Sequence, residues 1–156
     1  MEEQEGIVQF FQHAHHRIEG WLIEFQEALD AGHLDVSLID QAAETLRLHM
    51  YTEEELIFPH VKHVLAQPIA DLMEQHGRIS DLMDELLGLV RQGADISRVR
   101  KPFSFLFNVL AAHCSAEDLG IYPDLVSVLG AGKAHALLRE ADKAEAPPGW
   151  VCSARR

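Results

Sequence analysis

Hydrophobic residues recur every three or four positions at Val8, Phe11, Ile18, Leu22, Phe25 and Leu29, with His15 in the one gap. That spacing lays an apolar stripe along one face of a helix. A second stripe keeps the same rhythm through Ile69, Leu72, Ile79, Met83, Leu86 and Val90, with His76 in the gap. Each member lies sixty-one residues after its counterpart, so His15 aligns with His76 and Arg17-Ile18 with Arg78-Ile79. Two further segments match at an offset of sixty-four. Ile39, Ala42 and Leu46 pair with Phe103, Leu106 and Leu110. His49 then pairs with His113, Glu53 with Glu117, Ile57 with Ile121, Phe58 with Tyr122 and Pro59 with Pro123.

Breakers separate these segments: DAGHLD at 30–35, AQP at 66–68, RQGADIS at 91–97 and GAGK at 130–133. The segments between them are rich in helix formers and nothing alternates like a strand. Asp35 and Ser97 are the expected N-caps. A helical hairpin written twice, with short connections, predicts an all-α fold: an antiparallel up-down-up-down four-helix bundle. A short C-terminal fifth helix is expected over about 133–142, giving one domain over 1–143. Residues 144–156, with APPGWVCSARR, read as an irregular tail whose Trp150 docks on the bundle.

The stripes also carry polar groups where apolar ones belong. Burying a histidine or carboxylate without partners costs several kcal/mol, so six of them call for one shared explanation. His49 and Glu53 stand one helical turn apart, as do His113 and Glu117, and His15 and His76 add one imidazole from each remaining helix. Four imidazoles and two carboxylates at a similar depth suit two first-row metal ions, with the glutamates bridging; zinc or manganese would accept the same donors. One buried histidine by itself is more often a satisfied core residue; internal twofold symmetry over six groups is what tips the reading.

The remaining polar residues are set aside. His13, His33, His63 and His135 fall off the stripes, and His16 points about 100° away from His15. His60 lies two turns past Glu53. Glu54, Glu55 and Asp118 are expected to be solvated or to support the ligands, Glu19 is a candidate third carboxylate at i+4 from His15, and Cys114 is read as a packed small residue.

Composition narrows the partners. A net charge of −12 in 156 residues opposes nucleic acid and anionic membranes. The acidic start MEEQEGIV does not resemble a secretory signal, and no apolar run approaches the roughly 18–20 residues of a membrane span. A soluble cytoplasmic protein with free thiols at Cys114 and Cys152 is therefore expected.

The order His15, His49/Glu53, His76, His113/Glu117, with the continuations EEELIFP and EDLGIYP, resembles the hemerythrin-like (HHE cation-binding) domains over roughly residues 5–130. The resemblance implies a non-haem di-iron centre with an oxo or hydroxo bridge. His15 and His49 would serve one iron, His76 and His113 the other, and Glu53 and Glu117 would bridge. Oxygen carriers of that family have a further histidine where this chain has Ser80, and an aspartate one residue after Glu117's position. Fewer protein ligands imply a small diatomic or peroxide ligand entering near Ser80 (O2, NO or peroxide), a redox partner, and roles in nitric oxide or oxidative-stress response. The rival readings are a metal- or redox-responsive sensor module and a non-redox zinc or manganese bundle.

Overall fold

A computed structural model describes residues 6–156; MEEQE, the first part of the acidic start, lies outside them. Among the described residues the chain is helical with no strand. Helix α1 spans Ile7–Asp30, α2 Val36–Tyr51, α3 Phe58–Val61, α4 Ala66–Arg91, α5 Ile96–Gly120, α6 Tyr122–Leu129 and α7 Ala131–Lys143. A π-helical segment, Thr52–Ile57, joins α2 to α3, and Ser153–Arg155 form one 3₁₀ turn.

Buried residues follow the expected stripes, with one shift: Ile7 rather than Val8 takes the first buried place on α1. Asp35 caps α2, its side chain accepting from Leu38 N at 3.4 Å. Replacing it with Ala should cost about 1 kcal/mol of stability, measurable by thermal unfolding. Ser97 is not a cap. Helix α5 starts two residues earlier than that cap would place it, with Asp95 at its N-cap position, where Arg98 N donates to the Asp95 backbone carbonyl at 2.8 Å. Nor does AQP at 66–68 break the chain: α4 begins at Ala66, because Pro68 lies in a first turn, where its missing N–H is no loss. The fifth helix, α7, runs two residues earlier and one later than 133–142.

The internal repeat reaches the turns. Gly32 and Gly93 end α1 and α4 with φ of +86° and +68°, and the next amides, His33 N and Ala94 N, reach back to Ala28 O and Leu89 O. This is a Schellman closure, and its left-handed residue favours glycine.

Pro59 and Pro123 disturb their helices at the same place. A proline cannot donate to the carbonyl four residues back and clashes with it. In the first copy the helix absorbs this by widening into the π segment, with Phe58 N bonded to Glu53 O. In the second copy α5 stops at Gly120 and α6 starts again at Tyr122. The residues at the break share one backbone distortion, φ −102° at Ile57 and φ −117° at Ile121.

The apolar interior forms two clusters. One gathers Ile18, Leu22 and Phe25 of α1 with Leu46, Met83, Phe103 and Leu110. The other joins Phe11 with Phe58, Leu72, Tyr122 and Leu125, closed by Ala134 and Leu137 of α7. The histidines and glutamates form a polar layer between them.

Candidate metal centre

All six expected groups are buried: His15 at 6% exposure, the other five at 3% or less. Each helix places its donor through the stripe that forms the core, so packing sets the register of the site. Glu117 Oε1 lies 3.0 Å from His113 Nε2, 3.1 Å from His15 Nε2 and 3.4 Å from His49 Nε2. Glu53 Oε1 lies 3.0 Å from His49 Nε2 and 3.4 Å from His76 Nε2. Two constellations have one donor atom per residue within 4.8 Å of one another: His15, His49 and Glu117; and Glu53, His76, His113 and Glu117. They share Glu117.

Buried polar groups normally find partners. Here His76 Nε2, His113 Nε2, Glu53 Oε1 and Glu117 Oε2 have none with hydrogen-bond geometry among the described residues, although all four are shielded from solvent. The opposite nitrogens of the same two rings are engaged. His76 Nδ1 pairs with Glu54 Oε2 at 2.6 Å, and His113 Nδ1 with Gln75 Oε1 at 2.7 Å. Outer bonds of this kind fix a ring's tautomer and direct its lone pair inward. The donor set and these inward-facing atoms fit a pair of cations.

The outer groups obey the repeat as well. Glu54 backs His76, and its counterpart Asp118 stands 3.5 Å from His15 Nδ1. Phe58 stacks on His76 at 6.2 Å between ring centroids, and its counterpart Tyr122 stacks on His15 at 5.6 Å. Symmetry fails at two points. Gln75 has Ala14 as its counterpart, so His49 Nδ1 is left without a partner. Tyr122 carries a hydroxyl that Phe58 lacks, and it donates to Glu53 Oε2 at 3.1 Å while lying 3.2 Å from His15 Nε2.

Charge organises the cluster. Burial pushes the pKa of His49 down, but the nearby Glu53 charge and the hydrogen bond to Glu117 outweigh it and raise it to about 10. For His76 burial is likewise overcome, by Glu53 and Glu54, and the value rises to about 9. Glu117 is held well below the usual carboxylate range: burial opposes ionisation, but bonds from the His113, His15 and His49 imidazoles prevail. Burial and the Glu53 charge push Tyr122 well above 10, so it keeps its proton.

The residues set aside fall where expected, with exceptions. His16, Glu19 and His60 are exposed, so Glu19 is not part of the buried cluster. Cys114 is half-buried on the wall of a cleft that reaches His15, its thiol kept protonated first by burial and then by the Glu117 charge. Of the two alternatives for Glu54, the supporting one holds: it is buried and backs His76. Gln75 and Tyr122 went unrecognised as contributors in the sequence; the signal was the departure of each from its counterpart. Ser80, the expected entry, lines a cavity of about 540 Å³ that takes in none of the six donors, and its Oγ lies 3.6 Å from Met50 Sδ and 3.7 Å from the buried Cys152 Sγ.

A family model described as the hemerythrin HHE cation binding domain matches residues 6–125. The chain belongs to this family. The match includes all six candidate donors and stops before α7 and the tail. Searches of curated proteins and of solved structures gave no match. For a member of a cation-binding family, a buried layer of imidazoles and carboxylates with unpartnered inner atoms is the arrangement to expect. No helix among the described residues is long and apolar enough to cross a membrane.

Proposed function

We propose that this chain is an antiparallel up-down-up-down bundle holding two iron ions, and that it binds or reduces a small diatomic or peroxide ligand. His15 and His49 would hold one ion and His76 and His113 the other; Glu117, a member of both donor groups, would be the main carboxylate between them, and Glu53, which also approaches His49, the second. One observation carries the reading: two donor constellations share Glu117 and leave inner nitrogen and oxygen atoms buried and unpartnered among the described residues. Two irons would supply the redox chemistry and the open coordination positions. The chain supplies the rest. Two apolar clusters keep bulk water from the layer, Glu54 and Gln75 aim two imidazoles, and the Tyr122 hydroxyl holds a proton at Glu53 Oε2. Domain limits of 1–143 and 144–156 and a reducing cytoplasm, where Cys114 and Cys152 stay free thiols, belong to the same proposal.

Adding ferrous iron without oxygen, then admitting air, is the test. About two irons per chain are expected, with near-ultraviolet and visible charge-transfer absorption that azide shifts. Tight zinc or manganese with no stable iron would replace this reading with the non-redox one, since imidazole and carboxylate suit those ions too.

A further inference from the structure

The repeat turns one groove of the molecule into another. Helices α2 and α4 frame the first, α5 and α1 the second. Met50 and Ser80 line the first, with Glu54 and Gly77 against residues 153–154 beside it; the counterparts of these four, Cys114, Glu19, Asp118 and His16, all line the second. The grooves differ in what fills them. The α1–α5 groove is an open cleft of about 410 Å³ that reaches His15 and Asp118. In the α2–α4 groove residues 150–156, a segment beyond the family match, form one wall of a cavity of about 540 Å³ that takes in Met50 and Ser80 but none of the six candidate donors.

That segment is fastened at both ends and in the middle. Trp150 Nε1 donates to Glu55 Oε1 at 3.0 Å, and its ring packs edge-on against Tyr51. Cys152 is 2% exposed. Arg155 pairs with Asp81 and Asp84, and Arg156 with Glu55. Gly77 makes room for it: a Cβ there would stand 2.8 Å from Ala154 Cβ, whereas the equivalent residue on α1 is His16. The decisive contact is internal. Ser153 N donates to Glu54 Oε1 at 2.9 Å, and the other oxygen of that carboxylate holds His76 Nδ1 at 2.6 Å.

We propose that residues 150–156 are a strap that packs over Glu54 and Gly77 and, through Ser153, Glu54 and His76, locks the metal held by that half. The open α1–α5 cleft is then the route by which a small polar molecule or a chelator reaches the cluster. Ser153 and Glu54 are positioning residues, since they act through His76. The proposal rests on the dinuclear reading above. Strap docking and metal binding must strengthen each other equally, because the coupling is reciprocal.

Ser153→Pro tests this in the full chain. It removes the one N–H, and the extended Cys152 before it (φ −60°, ψ 153°) has the backbone that proline prefers in its neighbour. With zinc as the probe, the unaltered chain should bind two ions and release one slowly to a chelator. In the variant that slow release should quicken roughly tenfold or more, the usual scale for loss of an outer partner. Unchanged release would overturn the proposal. Amide exchange of residues 150–156 in the unaltered chain decides independently, even if the variant folds poorly: several-fold slowing on zinc loading supports the strap, and no change refutes it. Failure to bind zinc or iron at all would instead remove the metal reading itself.

Discussion

Glu117→Ala should lose most of both metal ions, Glu53→Ala should keep part of one, and His16→Ala should keep both. The ordering follows from geometry. Glu117 belongs to both donor constellations, Glu53 to one, and His16 to neither. Loss of a direct donor should exceed the roughly 10–100-fold drop in affinity that removing an outer partner causes. A second effect appears without metal. Glu117 is fully buried and lies within 3.4 Å of three imidazoles. Removing one partner of a buried ion pair costs about 3–5 kcal/mol, because the other charge stays buried. The metal-free Glu117→Ala chain should therefore melt well below the unaltered one, and His16→Ala should not. Metal counting and thermal unfolding of the three variants measure both effects. Equal metal loss in all three would reject the choice of His15 over His16.

The six central groups were legible in the sequence because helical period and internal repeat reinforce each other there. Each donor occupies a stripe position that packing makes buried, so reading the stripe also reads the site. Which of its two expected roles Glu54 takes, solvated or supporting, was beyond that reach. Successive residues on a regular helix point about 100° apart, so a buried Glu53 argues for an outward Glu54. The π segment brings both inside, and that widening depends on how Pro59 is accommodated in three dimensions. The same motif with Pro123 ends its helix instead, and Asp118 stays part-exposed. Gln75 was hidden for another reason: its value lies in an imidazole on a different helix. The strap was least legible, since an irregular segment has no period. Only Trp150 hinted at docking, while the contact that ties the tail to the site uses a backbone N–H that any non-proline residue would carry.

Metal uptake should release about two protons at pH 7 and strengthen steeply as pH rises. His49 and His76, with pKa values of about 10 and 9, both carry protons in the metal-free fold at neutral pH. A cation must displace them, since a ligand nitrogen has to be neutral. Each displaced proton contributes a tenfold change per pH unit, so affinity should rise by about a hundredfold per unit between pH 7 and 8, by about tenfold between 9 and 10, and flatten above 10. The metal-free chain should show the opposite trend. Both folded values lie above the ordinary 6.5, so the stability they contribute is fully present below 6.5 and is lost as pH rises through 9 to 10. Glu117, with its depressed value, adds stability present above 4.5 that is lost as pH falls through its folded pKa. Alkali should therefore loosen the empty chain while tightening its grip on metal, and the melting curves of the two forms should diverge from pH 7 to 10. Calorimetric titration in two buffers of different ionisation enthalpy counts the protons, and melting both forms across that range measures the divergence. Uptake without proton release would show that the empty site is held together by something other than imidazolium–carboxylate pairs.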